Sequence, residues 1–173
     1  MKRVMIVGGA GSGKSTLARW LGAQTGLPVY YMDHIQWMPD WQPRPRAQRR
    51  EMALEVEALE SWIFEGGFSE TYNNRAVRAD TLIWLDLPVG LRLWRVTRRL
   101  FQYWGKRRPD MAEGCVEKLH GESIKFYLWI WNTRVSHRLR LQRLLADHGP
   151  GLRVVHLRSP AEVSDFQKRI EGP

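Results

Sequence analysis

Eight residues near the start of the chain, Gly8-Gly9-Ala10-Gly11-Ser12-Gly13-Lys14-Ser15, have the spacing G-x-x-x-x-G-K-[ST]. Each residue type in that order has a chemical use. Glycines let backbone N–H groups turn inward around phosphate oxygens, where a side chain would clash. A helix N-terminus behind them adds free N–H groups and partial positive charge. Lys14 can reach the β- and γ-phosphates, and the Ser15 hydroxyl is a ligand type for Mg²⁺. The flanks supply the context such a loop needs. "VMIV" (Val4 to Val7) is apolar and β-branched like a buried strand, and "STLARWLGAQTG" reads as a helix closed by Gly26. Gly8 through Thr16 are therefore expected to hold a nucleoside triphosphate and its Mg²⁺.

Three further positions fall where strands should end. "LPVYYMDHIQW" reads as a second apolar strand ending at Asp33. An acid there can orient an acceptor hydroxyl, accept its proton, or hold Mg²⁺ through water; the bland reading is a helix cap or turn residue. "SWIFEGGFSETYNNR" supplies a third strand broken at Gly66-Gly67, glycines that admit a ligand close to backbone or simply make a tight turn. "ADTLIWLDLP" is a fourth strand with Asp86 at its end, an acid resembling the one that bonds the metal shell or Ser15 in nucleotide-binding loops. A fifth strand is expected over Leu152 to Leu157.

Helical patterns separate these strands. They include "RAQRREMALEVEALES", "PVGLRLWRVTRRLFQYW", one long segment from Glu122 to Asp147, and "SPAEVSDFQKRI" with Ser159 as N-cap and Pro160 first in the helix. Strand and helix in alternation predict an α/β three-layer sandwich around a five-stranded parallel sheet, with ligands at the carboxyl ends of the strands. One stretch breaks that pattern. Residues 104–122, "WGKRRPDMAEGCVEKLHGE", are polar, carry Pro109, Gly114 and Gly121, and lie between two helical segments. A loop this long in a compact domain is usually functional or disordered, and here a lid is expected. A lid excludes water, and its arginines offset charge on a transferring phosphoryl group. Arg95, Arg98 and Arg99 before it, and Arg134 or Arg138 after it, are the candidates; spacing does not choose among them.

Composition narrows the setting. The 173 residues suit one domain, 1–173, with 34–60 as a substrate-binding segment and 104–122 as the lid. Cys115 is the single cysteine, so no internal disulfide forms and a reducing compartment fits. Lys2 and Arg3 precede an apolar run that stops at Gly8, too short for a signal sequence, and nothing later is long enough to span a bilayer. A cytoplasmic protein with no membrane partner is expected. The formal net charge of +9 favours polyanionic partners: nucleotides, nucleic acid or anionic surfaces. Seven bases and no acid fall between Arg92 and Arg108, and a second basic group, Arg134, Arg138, Arg140 and Arg143, follows.

Four stretches, "GGAGSGKSTLARWLG", "YYMDHIQWMPDWQPRPR", "WIFEGGFSETYNNRAVRADTLIWLDLP" and "GKRRPDMAEGCVEKL", together resemble the adenylate-kinase-like branch of P-loop proteins. Within it they resemble most closely the FlaR-related group labelled DNA topology modulation protein. The resemblance implies a nucleoside-monophosphate-kinase-like fold with a lid, ATP as donor, and Asp33 as a catalytic or metal-organising acid. It also shows departures. The substrate segment is short and rich in tryptophan and arginine, and one cysteine cannot build a four-cysteine zinc site in the lid.

Two functions follow. The first is a Mg²⁺- and ATP-dependent kinase of a small acceptor, with Lys14, Asp33, Arg95, Arg99 and Arg134 as catalytic candidates. Ser15, Asp33 and Asp86 are the metal candidates. A pocket of Trp37, Trp41, Arg44, Arg46 and Gly66-Gly67 would take the acceptor, with Arg75 or Arg78 pairing an anionic group; packing beneath the loop is the other reading of the two tryptophans. The second function is a nucleic-acid-binding or regulatory ATPase, drawn from the positive charge, the Arg–Trp interleaving and the group's label. No helix-turn-helix, zinc module or RNP-type pattern accompanies it.

Overall fold

A computed structural model describes residues 1–117 and 121–172, with the side chains of 121 and 122 left aside. In chain order it contains β1 (Arg3–Gly8), α1 (Lys14–Thr25), β2 (Val29–Tyr31), α2 (Met32–Gln36), β3 (Trp37–Met38), β4 (Gln42–Pro43), α3 (Arg46–Ala58) and β5 (Trp62–Glu65). Then follow α4 (Tyr72–Arg78), β6 (Thr81–Leu85), α5 (Val89–Gln102), α6 (Gly121–Asn132), α7 (Arg134–His148), β7 (Arg153–Leu157) and α8 (Pro160–Glu171). Five strands form one parallel sheet in the order β2-β5-β1-β6-β7. β1, which carries the glycine loop, therefore lies in the middle of the sheet.

The alternation along β1 produces the three layers. Val4 and Ile6 point to one face, where they pack with Leu17 and Leu21 of α1 and Phe166 of α8. Met5 and Val7 point to the other, among Trp62, Phe64, Tyr72, Trp84 and Leu141. Both faces are dry, as a parallel sheet requires. The last helix starts as its sequence predicts: Ser159 Oγ accepts the Glu162 N–H at 3.2 Å, with Pro160 at the first helical position.

Three local expectations are corrected. The second strand ends at Tyr31, and Asp33 sits in the first turn of the short helix α2. After it comes a small antiparallel hairpin, β3–β4, that no sequence pattern announces. Its turn places Asp40 and Trp41 at φ of 59°, two adjacent left-handed non-glycine residues. The single helix expected over 122–147 is two, α6 and α7, parted at Thr133, whose hydroxyl donates to the Trp129 carbonyl at 2.7 Å.

Residues 104–117 fold back on themselves. The Gly105 N–H donates to Glu117 O at 2.9 Å, and the Glu117 N–H donates to Lys106 O at 3.0 Å. Residues 118–120 of the expected lid lie outside the described residues.

Candidate functional site

The glycine loop joins β1 to α1 as its spacing predicts. All of Gly8 through Thr16 line one cavity of about 1340 Å³, together with Asp33, Trp37, Gly66, Gly67, Arg95 and Arg99. That volume exceeds a typical single-ligand pocket. Lys14 Nζ donates to the Gly9 carbonyl at 3.2 Å across the loop it serves. Burial lowers its pKa, against the pull of Glu65 and Asp33.

The loop has a brace that the sequence reading did not assign. Arg92 of α5 lays its guanidinium against the backbone of Gly9 and donates from Nε to the Ala10 carbonyl at 3.0 Å. A Cβ on Gly9 would come within 2.0 Å of the Arg92 Nη2 atom, so the close approach needs glycine. Arg95, one turn on, donates to Ser12 O at 3.1 Å. The basic run of α5 thus serves the phosphate loop directly, and Arg98 and Arg99 border the same cavity.

The acid beside Ser15 is Glu65. Ser15 Oγ donates to Glu65 Oε1 at 3.0 Å. Glu65 is the last residue of β5, immediately before Gly66-Gly67, and is buried. Burial raises its pKa to about 7, with Asp33 and Asp110 adding to the rise and Lys14 and Ser15 opposing it. Asp33 is likewise raised by burial, while Lys14 and Arg108 hold it down. Asp110 behaves oppositely: despite its burial, Arg108 and the Ser15 hydroxyl keep its carboxyl below the ordinary range.

Asp110 and Arg108 come from the 104–117 segment, whose tip is tucked into the cavity. Arg108 is buried between Asp110, with Nη1 to Oδ2 at 3.1 Å, and Glu117, with Nε to Oε1 at 2.5 Å. The segment is clasped to the β3–β4 hairpin. Trp41 Nε1 donates to Val116 O at 2.9 Å, and Cys115 Sγ donates to Met38 O at 3.4 Å. Gly114, at φ +78°, presses on Pro39, where an added Cβ would stand 2.9 Å from the proline Cβ.

Several expected site residues lie elsewhere. Arg75 does not face an acceptor. It is fully buried, paired to Glu57 at 3.0 Å, bonded to the Gly66 carbonyl, and stacked 3.8 Å from the centre of the Phe64 ring. Asp86 is not the partner of Ser15. It accepts from Arg138 Nε and pairs with His156 Nε2, both at 3.1 Å, which fastens α7 to the end of β7. Arg44 closes the hairpin by donating to Ile35 O at 2.9 Å. Arg46 pairs with Glu70, and Arg78 Nη2 donates to Ala58 O at 2.9 Å. Arg134 covers the Trp131 ring, 4.2 Å from its centre, outside the cavity wall. From α7 the residues that do reach the cavity are His137 and Arg140. His137 has a pKa lowered to about 4 by burial and by Lys14, Arg92 and Arg140, so a neutral imidazole stands in a cationic pocket.

Trp37 is on the cavity wall and meets Trp41 edge to face, ring centres 5.7 Å apart. Trp41 donates to the backbone of the 104–117 segment, and both rings border the cavity.

No family profile matches the chain. The uncharacterized protein YqaC of Bacillus subtilis (strain 168) is 27% identical over 106 residues, 60% of this chain. The chain spans about 60% of the length of that curated relative. Among solved structures, shikimate kinase from Acinetobacter baumannii in complex with shikimate matches with a TM-score of 0.57 at 16% identity, over 98% of this chain and 90% of that one. The shikimate kinase of Bacteroides thetaiotaomicron matches with a TM-score of 0.57 at 14% identity, over 98% and 96%. Deoxyadenosine kinase from M. mycoides with bound dCTP matches with a TM-score of 0.50 at 14% identity, over 98% and 99%. The chain shares the fold of these structures, a five-stranded parallel sheet between two helical layers with the glycine loop after its central strand. At such identities the likeness carries the fold alone, and the chemistry has to be argued from the site.

Proposed function

We propose that this chain is a phosphotransferase of the adenylate-kinase-like kind, which moves the γ-phosphoryl group of ATP to a small nucleotide-like or anionic acceptor. The observation that carries the reading is the convergence, in one cavity, of Lys14 and Ser15 with the carboxyls of Asp33, Glu65 and Asp110. Placement within the narrower topology-modulation group rests on the four sequence stretches quoted above, and nothing among the fold relatives supports a role in DNA topology.

The residues present fit a triphosphate and its metal. The loop offers backbone N–H groups, one ammonium group and flanking guanidinium groups, a donor set for phosphate oxygens. Among the described residues no three His, Cys, Asp or Glu side chains converge to enclose a metal. Mg²⁺ asks for less, since it keeps waters and binds through one or two protein oxygens plus substrate phosphates. Ser15, with Glu65 or Asp110 holding its shell, supplies those oxygens, and the ion would offset charge on the β- and γ-phosphate oxygens.

In the transfer, an acceptor oxygen attacks the γ-phosphorus, the bond to the β-phosphate oxygen breaks, and ADP leaves. Asp33, beside Trp37 on the acceptor side, orients the attacking hydroxyl and takes its proton. Its raised pKa brings it closer to the range useful for a base. Arg95 and Arg99 offset negative charge from the α5 side, and residues 104–117 exclude water. ATP consumption with Mg²⁺ should rise with one class in a panel of nucleotides, nucleosides and small hydroxylated acids. The Lys14→Met variant should lose that turnover by about a thousandfold or more while keeping its fold. Turnover that survives Lys14→Met, or a flat panel with ATP bound, overturns the transferase reading.

A further inference from the structure

Outside the cavity, α5, α6 and α7 carry apolar side chains that nothing covers. Ile124, Leu128, Trp131, Val135 and Leu139 recur every three or four residues, on one face of the α6–α7 pair. Each keeps between 47% and 67% of its surface exposed. α5 has a matching face: Trp94 and Phe101 are 56% and 69% exposed, with Arg98 between them, 5.6 Å from the Trp94 ring centre. Thr97 and Tyr127 join the two helices at 2.9 Å, each immediately beside the apolar face of its own helix. Monomeric proteins rarely leave a continuous apolar face of this kind bare without a partner for it.

The charge around this face says what that partner is. Residues 89–143 hold thirteen lysines and arginines against four acids, which accounts for the whole formal net charge of +9. Arg92, Arg95, Arg99, Arg108 and Arg140 face the cavity and Arg138 pairs with Asp86, while Arg98 lies over Trp94 and Arg134 over Trp131, so the apolar face itself is edged by guanidinium groups. A second copy of the chain would bring one basic rim against another. A nucleic acid would use the tryptophans for stacking but leave Ile124, Leu128, Val135 and Leu139 without a role. An anionic lipid surface uses every part: aliphatic chains at the acyl boundary, tryptophans at the interface, and arginines among the headgroup phosphates. We propose that the exposed face of α5, α6 and α7 is a docking surface for an anionic membrane. The sequence expectation of no membrane partner rested on the lack of a spanning segment, and this proposal departs from it; among the described residues no helix is long and apolar enough to cross a bilayer. This surface would lie on a bilayer without crossing it, and it is independent of the phosphoryl-transfer reading.

Flotation of the full chain with vesicles tests this. The protein should rise with phosphatidylglycerol–phosphatidylcholine vesicles, stay behind with phosphatidylcholine alone, and be released by salt. The double variant Leu128→Glu with Leu139→Glu should weaken partitioning about tenfold or more, with far-UV dichroism and melting temperature unchanged. Arg134→Gln should weaken it about fivefold. No binding to the anionic vesicles, or equal binding to neutral ones, overturns the proposal. So does a solution dimer that the double variant dissociates, which would make a second copy the occupant. Single-stranded DNA binding lost in the double variant, with vesicles unbound, overturns it in favour of nucleic acid.

Discussion

Three carboxyl groups, Asp33, Glu65 and Asp110, crowd the same end of a cavity whose other walls carry arginines. Glu65 bears the cost: it is buried, and its pKa of about 7 means it is half-protonated near neutrality. The linkage sign follows from the proton count. Between the ordinary carboxyl pKa of 4.5 and about 7, the folded chain holds a proton on Glu65 that the unfolded chain has released. The Glu65 share of stability should therefore fall as pH rises through that window, by about 3 kcal/mol, while His137, lowered from 6.5 to about 4, contributes the opposite slope between those two values. Glu65→Gln keeps an amide at the Ser15 hydroxyl and removes the titration. Its urea midpoint should gain on the parent's as pH rises from 5 to 7, because the Glu65 loss is gone and the His137 rise remains. A constant difference between the two proteins across that range would assign the effect to another group. Under the phosphotransferase reading the same variant should need more Mg²⁺ for half-maximal turnover, because Asp110 alone would remain as the anionic neighbour of Ser15.

At the scale of elements, the buried Arg75–Glu57 pair shows how a site expectation can be displaced by packing. The pair joins α4 to α3 beneath the acceptor side, with Asn74 Nδ2 also donating to Glu57 Oε2 at 2.6 Å and the Arg75 guanidinium lying on Phe64. Removing one partner leaves the other buried and unpaired, so Arg75→Met should destabilise the fold by about 3–5 kcal/mol, seen as a lowered urea midpoint. A direct acceptor ligand would instead raise KM with stability intact. Nothing in "TYNNRAV" distinguishes those outcomes, because burial of Arg75 depends on where α3 crosses, a long-range fact. The glycine loop was legible because its donors are contiguous in sequence. Strand order explains the Asp86 error. β5 and β6 flank β1 on opposite sides, so Glu65 and the end of β6 are both neighbours of the loop strand. Period-2 patterning finds both ends but does not say which one meets α1. Arg138 and His156, brought in by α7 and β7, occupy Asp86 and leave Ser15 to Glu65. The one available cue was an acid placed directly before Gly66-Gly67.

Over the whole molecule, the segments expected to close over the two substrates are joined. The β3–β4 hairpin borders the acceptor side through Trp37, and residues 104–117 deliver Asp110 to Ser15 and the phosphate side. Trp41 holds the two together through its bond to Val116 O, from a turn that already carries positive φ at Asp40 and Trp41. Cys115 and Gly114 add contacts to Met38 and Pro39 on the same seam. Segments fastened this way are expected to open together, and under the phosphotransferase reading closing on one substrate would organise the surface for the other. Trp41→Phe removes only the indole N–H and keeps an aromatic ring in the turn. It should speed amide exchange at Gly105 and Glu117, which pair within the 104–117 segment, and in the hairpin around Met38 by a similar factor, about fivefold for a bond worth about 1 kcal/mol. Amides of β1 and β6 should keep the parent rates, since neither strand contributes to the seam. Faster exchange in the hairpin alone would mean that the segments open separately, and binding at one side of the cavity would then leave the other unprepared.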